Sequence, residues 1–162
     1  MSEAILAGPK EDIAARIQMG SGLLQKDLAA MSDQMLANCP GGEARCGFDL
    51  VYEMAMVNRL VAGALRGDAG DIPEPQGWVR SPQDYRNKAA AMRDLSDSVE
   101  ELLSAFATVS EQDLAKEIPT PLGKMPIGQV MSIMGSHLMY HSGQLNYIQT
   151  LHGDVAFHWA EG

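Results

Sequence analysis

Apolar positions recur along most of this chain at the three-to-four-residue spacing of helices that bury one face. Pro9 opens the first such stretch, Glu11 and Asp12 suit the positive end of a helix dipole, and Ile13, Ile17, Leu24, Leu28 and Met31 supply the stripe. Gly20-Ser21-Gly22 interrupts it with poor helix formers, which predicts close packing or a slight bend. Asn38-Cys39-Pro40-Gly41-Gly42 is a strong breaker, so the chain turns there. The second helix begins near Arg45 to Phe48 and runs to Leu65, stopped by a cation and a glycine at Arg66-Gly67. On it Leu50, Val57, Leu60 and Ala64 share a face with Glu53, and an acid among apolar side chains calls for a cation.

Residues 67–80 read as a long connection whose Trp78 packs back on the bundle. Ser81-Pro82-Gln83-Asp84 then supplies an N-cap, a proline at the first helical position and an acid, so the third helix starts there and extends to about Val109. Tyr85, Ala89, Met92, Leu95, Val99, Leu102, Leu103 and Phe106 form its inward stripe. A second irregular crossing, Ile118-Pro119-Thr120-Pro121-Leu122-Gly123, leads through Pro126 to a fourth helix ending near Leu151-His152-Gly153. Four long helices with long connections and no convincing strand predict an all-α four-helix bundle, one domain over residues 1–162.

Composition narrows the classes. An apolar fraction of 46% and a charged fraction of 20% are those of a globular chain, and a formal charge of −9 without a cluster of Lys or Arg argues against nucleic acid or an anionic membrane as partner. The chain contains no uninterrupted apolar run of about eighteen residues, and Met1-Ser2-Glu3 begins neither a basic region nor a signal core, so a cytoplasmic location is expected. Cys39 and Cys46 are then thiols at a loop or helix end.

The candidate chemistry lies on the fourth helix. His137 and His141 are four residues apart, which stacks both imidazoles on one face, and Met134, Leu138 and Leu145 make that face apolar. A buried imidazole needs partners for its nitrogens, and two rings pointing the same way are poor partners for each other. A divalent metal satisfies both; the alternative is one ring bonded to a carbonyl and the other exposed. Bundles build metal sites from facing helices, and Glu53 is the third ligand the second helix offers, with Asp49 as substitute one turn earlier. Two imidazoles and one carboxylate leave positions open for water or substrate, the pattern of a reactive site, for which zinc, nickel and iron(II) are all suitable. Leu138 after His137 excludes the H-E-x-x-H protease motif. The competing reading of Glu53 by itself is an exposed or Arg-paired acid on a helix edge; the rival for the whole chain is a metal-free binding or interaction protein in which Glu53 is hydrogen-bonded to one or both imidazoles. His152 and His158 are expected in solvent, Gly143 in close helix packing, and Gln144 and Asn146 at a polar rim or in interface contacts. Tyr52, Tyr140 and Asn58 are candidate pocket residues, and no side chain stands out as a dedicated general base.

The run from His137-Leu-Met-Tyr-His141-Ser-Gly-Gln144 to His152-Gly153 closely resembles the closing helix of the DinB-like superfamily, which includes YfiT-like and bacillithiol-transferase proteins. Phe48-Asp-Leu-Val-Tyr-Glu53-Met-Ala-Met-Val-Asn58-Arg59 carries the resemblance into the second helix. It implies a bundle with three metal-binding histidines, two spaced like His137 and His141, and Glu53 at the position of the first. It also implies a homodimer, a small-molecule substrate such as a low-molecular-weight thiol, and a metal-dependent thiol transferase or hydrolase.

Overall fold

The computed structural model describes residues 8–68 and 77–160. Four long helices form the bundle: α1 (Pro9–Ala30), α3 (Gly47–Arg66), α4 (Lys88–Ala107) and α5 (Ile127–Leu151). Helix α1 packs chiefly on α5, and α3 on α4, with α1 against α4 and α3 against α5 closing the ring. Ile17, Leu24, Leu28, Phe48, Met54, Leu95, Leu102, Phe106, Met131, Leu138 and Leu145 fill the interior, so the all-α bundle expected from the apolar spacing is the architecture.

The local signals act as expected at several ends. Pro9 occupies the first turn of α1 with Glu11 and Asp12, and Gly67 closes α3 in the left-handed conformation at φ 81°, which a residue without Cβ adopts freely. Helix α1 is unbroken through Gly20, which is buried beside Leu138 and Gly135 of α5. The close packing anticipated there occurs at Gly20; a Cβ on Gly22 would meet nothing within 4 Å.

Four expectations are corrected. Ser32 caps a short helix, α2 (Asp33–Ala37), accepting from the Met35 amide at 3.1 Å, in a stretch for which the apolar spacing predicts no element. Helix α4 starts at Lys88, not near Ser81, because the Ser81 amide and hydroxyl both donate to Asp49 (2.8 and 2.9 Å) while the Asn87 side chain caps α4. Only a single 3₁₀ turn, Gln83–Tyr85, follows Pro82, and Ala89 is exposed with Ala91 buried in its place. The second crossing is a hairpin of β1 (Glu117–Thr120) and β2 (Gly123–Pro126), antiparallel with Ile118 opposite Met125. Its prolines are tolerated because a two-stranded ribbon consists of edges, where an absent amide hydrogen leaves no ladder bond broken. Finally, most of the 67–80 connection (69–76) lies outside the described residues, but Trp78 is 65% exposed and does not pack into the bundle.

The start of α3 is fixed tightly. A Cβ on Gly47 would come within 2.6 Å of Leu36 Cδ2 and 3.1 Å of Leu36 Cα, so glycine there lets α2 dock directly on α3. Asp49, in the first turn, accepts from the Cys46 amide (3.1 Å) and pairs with Arg80 (3.2 Å). Arg80 also donates to the Ala44 carbonyl (3.2 Å) and the Glu43 carbonyl (3.0 Å), which ties the 43–46 segment to the start of α3.

Candidate metal centre

Glu53 lies on α3 and His137 and His141 on α5, and one donor atom from each falls within 4.8 Å of the others. The Glu53 side chain is 17% exposed, so it belongs to the interior and not to the outer surface. Its Oε2 is 3.6 Å from His141 Nε2, and its Oε1 is 4.0 Å from His137 Nε2. Both separations exceed a hydrogen bond. The acid's direct partner is Arg45, whose Nη1 contacts Oε2, so the Arg-paired alternative weighed for Glu53 describes part of the arrangement.

The imidazoles meet each other more closely than two parallel rings could. They stand edge to face, 73° apart, with Nε2 atoms separated by 2.9 Å. That separation corrects the expectation that the rings are poor mutual partners, since a neutral pair can share one N–H···N bond across it. Gln144, one turn beyond, was expected at a polar rim; its Oε1 lies 2.7 Å from His141 Nδ1. An amide oxygen only accepts, so Nδ1 carries the proton and Nε2 presents its lone pair toward Glu53 and His137. His137 Nδ1 is buried with no hydrogen-bond partner among the described residues.

Burial pushes the His137 pKa down to about 4 and that of His141 to about 3, helped by the nearby Arg45 charge and, for His141, by His137. Both rings are therefore neutral at pH 7, the ligating form. Burial also lowers the Arg45 pKa, although a guanidinium stays charged. Ligands about 2.0–2.2 Å from one ion stand roughly 2.8–3.5 Å apart. The two nitrogens already meet that spacing, and the carboxylate reaches it by a side-chain adjustment of under about 1 Å once Arg45 releases Oε2. The donor set fits a mononuclear divalent transition metal.

Beside the cluster is a cavity of about 430 Å³ lined in part by Arg45, Trp78, Tyr140, Gln144 and Tyr147. Tyr140 contacts the His141 ring at 5.1 Å, and its hydroxyl accepts from Gln144 Nε2 at 3.3 Å. Of the three candidate pocket residues, Tyr140 alone lines this cavity. Tyr52 packs edge-on against Tyr85, and Asn58 is buried, donating to Ser98 on α4. Gly143 also lines the cavity, and a Cβ at that position would meet nothing within 4 Å, so the close packing expected of it is absent. Asn146 donates to the Ser142 carbonyl.

The remaining polar candidates lie elsewhere. Asp49, the substitute ligand, is committed to Ser81, Cys46 and Arg80. It also falls within 4.8 Å of the two free thiols, but burial pushes the Cys46 thiol up to about 11, which disfavours a thiolate ligand there. His152 is exposed as expected, 3.2 Å from Asn38 Nδ2. His158 is not: its side chain is 14% exposed and pairs with Asp154 at 2.8 Å.

Solved structures share this fold, among them the two that follow. A conserved protein from Enterococcus faecalis superposes with a TM-score of 0.68 at 18% identity, covering 89% of this chain and 97% of that one. A mycothiol-dependent maleylpyruvate isomerase gives 0.66 at 15% identity over 85% of this chain, which spans 61% of the isomerase. No curated protein matches the sequence. The family model of the DinB superfamily matches residues 50–145, a stretch that includes Glu53, His137 and His141 and more than half of the chain, so the chain belongs to the DinB superfamily.

Proposed function

We propose that this chain, folded as one domain, is a metal-dependent enzyme that holds a zinc, nickel or iron(II) ion between Glu53, His137 and His141. It transfers a low-molecular-weight thiol, attacking as its thiolate, onto an electrophilic carbon of a second substrate from which a leaving group departs, or hydrolyses a substrate, in the adjoining cavity. The observation that carries this reading is the convergence of three donor atoms from α3 and α5 within 4.8 Å of one another. The thiol is suggested by the fold shared with a mycothiol-dependent enzyme. When bound, a metal ion lowers the pKa of a coordinated thiol or water and so supplies a nucleophile at neutral pH. The chain's own residues prepare the site: Gln144 fixes the His141 tautomer, burial keeps both rings neutral, and Arg45 balances the Glu53 charge.

Elemental analysis of untagged protein tests the reading, with about one equivalent of a transition metal expected, or taken up on titration. Added zinc or nickel should raise the melting midpoint and His141→Ala should abolish that rise. Less than a tenth of an equivalent, with no uptake, rules against it. The Arg45–Glu53 pair favours a second reading, a metal-free binding protein, in which zinc leaves the melt unchanged.

The proposal includes a homodimer in the cytoplasm. No described helix is long and apolar enough to cross a membrane, and Ile13, Met19 and Met139 line a groove between α1 and α5 with Met19 60% exposed. Sedimentation equilibrium, repeated on Met19→Glu, checks the dimer.

A further inference from the structure

Arg45 is the least ordinary residue near the cluster. Its side chain is 5% exposed, Glu53 is its one ion-pair partner among the described residues, and its Nη1 makes no hydrogen bond to them. Arg45 also lines the cavity, and its guanidinium lies 4.7 Å from the centroid of Trp78, another lining residue. Tyr140 and Tyr147, 56% and 63% exposed, add two more rings to that wall. A cation flanked by aromatic faces in a cavity of this size is suited to a small flat anion, because a guanidinium grips a carboxylate with two parallel N–H bonds. Glu43 lines the same cavity, but its carboxylate is 99% exposed and so screened, with Arg80 3.9 Å away.

Glu53 cannot serve Arg45 and a metal ion equally. A dication drawing on the carboxylate weakens its hold on Arg45, and the two cations repel at this range. Arg45 released from Glu53 would be a buried charge without a partner, an unfavourable state. An anion in the cavity supplies the replacement partner. We propose that the cavity binds a small carboxylate with a flat apolar body through Arg45, and that this ligand and the metal bind cooperatively as Arg45 exchanges Glu53 for the ligand. The inference rests on the metal reading above and names the substrate class for that site. The coupling is reciprocal, each ligand tightening the other by the same factor.

The test is calorimetric titration of zinc into untagged metal-free protein, alone, with saturating benzoate, and with benzamide as the uncharged isostere. Benzoate should tighten zinc by about tenfold, within the range usual for coupled sites, and benzamide should do nothing. Arg45→Gln should bind zinc more tightly than wild type without benzoate, since the competitor for Glu53 is gone, and should ignore benzoate. Arg45→Lys, a cation without the planar fork, should show a smaller benzoate effect, and keeps the test open if Arg45→Gln fails to fold. Zinc affinity in wild type that is indifferent to benzoate overturns the inference alone. A benzoate effect that survives in Arg45→Gln is coordination to the metal and also overturns it. Zinc bound by none of the proteins removes the metal reading itself.

Discussion

Gln144→Ala separates a residue that orients a ligand from one that merely fills space. Gln144 Oε1 accepts from His141 Nδ1–H at 2.7 Å, and His141 is 1% exposed, so few other acceptors can reach that nitrogen. Without it the ring loses both its preferred tautomer and its angle toward Glu53 and His137. Outer partners of this kind are worth about 10–100-fold in metal affinity, or roughly 1.4–2.7 kcal/mol. The metal-free protein should also lose about 1–3 kcal/mol if the donor stays unsatisfied, and less where water enters from the cavity. Competition with a chromophoric zinc chelator reads the affinity, and circular dichroism melts read the fold. Asn146→Ala is the control, since Asn146 donates to the Ser142 carbonyl and not to the histidines. Equal zinc affinity in wild type and Gln144→Ala, both folded, would refute the assignment of the Nδ1 proton and the orienting role together.

Gly47→Ala should destabilise the protein by about 1–3 kcal/mol in urea melts, because the new methyl meets the buried Leu36 Cδ2 at 2.6 Å, forcing that side chain to repack, and Leu36 Cα at 3.1 Å, pressing on α2 itself. Ser32→Ala should cost about 1 kcal/mol by removing the cap of α2. The metal-free protein should lose stability in two pH windows. The folded pKa values of His137 and His141 lie below the ordinary 6.5, so their contribution is present above about pH 6.5 and lost as pH falls toward about 4 for His137 and about 3 for His141, and His141→Gln should flatten that decline. Asp49 feels burial pulling its pKa up, but hydrogen bonds from Ser81 and Cys46 outweigh it and leave the value below 3.8. Its contribution is therefore present above that pH and lost as pH falls through the folded pKa, and Asp49→Asn should remove this second, more acidic decline in urea midpoints.

The helices that carry the site were legible because each has a long apolar stripe and a clear end, as at Arg66-Gly67 and Leu151-His152-Gly153. What escaped were features decided by partners far along the chain. Ser81 reads as a cap until Asp49, thirty-two residues earlier, takes both its amide and its hydroxyl. The hairpin carries Pro119, Pro121 and Pro126, which argue against a strand unless both strands are edges. Glu53 plainly needed a cation, but which arginine supplies it depends on how the 38–46 loop folds back, and nothing in the spacing singles out Arg45. Gln144 is different: three residues after His141 on one helix, it stood within reach, and the helical spacing alone could have identified the contact.

The carboxylate at position 53 changes what the metal can do for the fold. Three buried neutral imidazoles would leave a metal-free site with several orphaned nitrogens and no internal remedy. Here the site closes on itself: Glu53 takes Arg45, His141 takes Gln144, and the two Nε2 atoms share a bond, leaving His137 Nδ1 as the one ring nitrogen of the pair without a partner among the described residues. Among the described residues of the site, Glu53 and Arg45 pair with each other without an ion, so folding does not require one, unlike domains whose metal-binding energy is their folding energy. The cost falls on affinity, because an ion must separate Glu53 from Arg45 before using both carboxylate oxygens. Treating the protein with a chelator should therefore leave its helical circular dichroism unchanged and lower its melting midpoint only by the binding increment, whereas collapse of the helical signal would show that the ion pair does not carry the metal-free state.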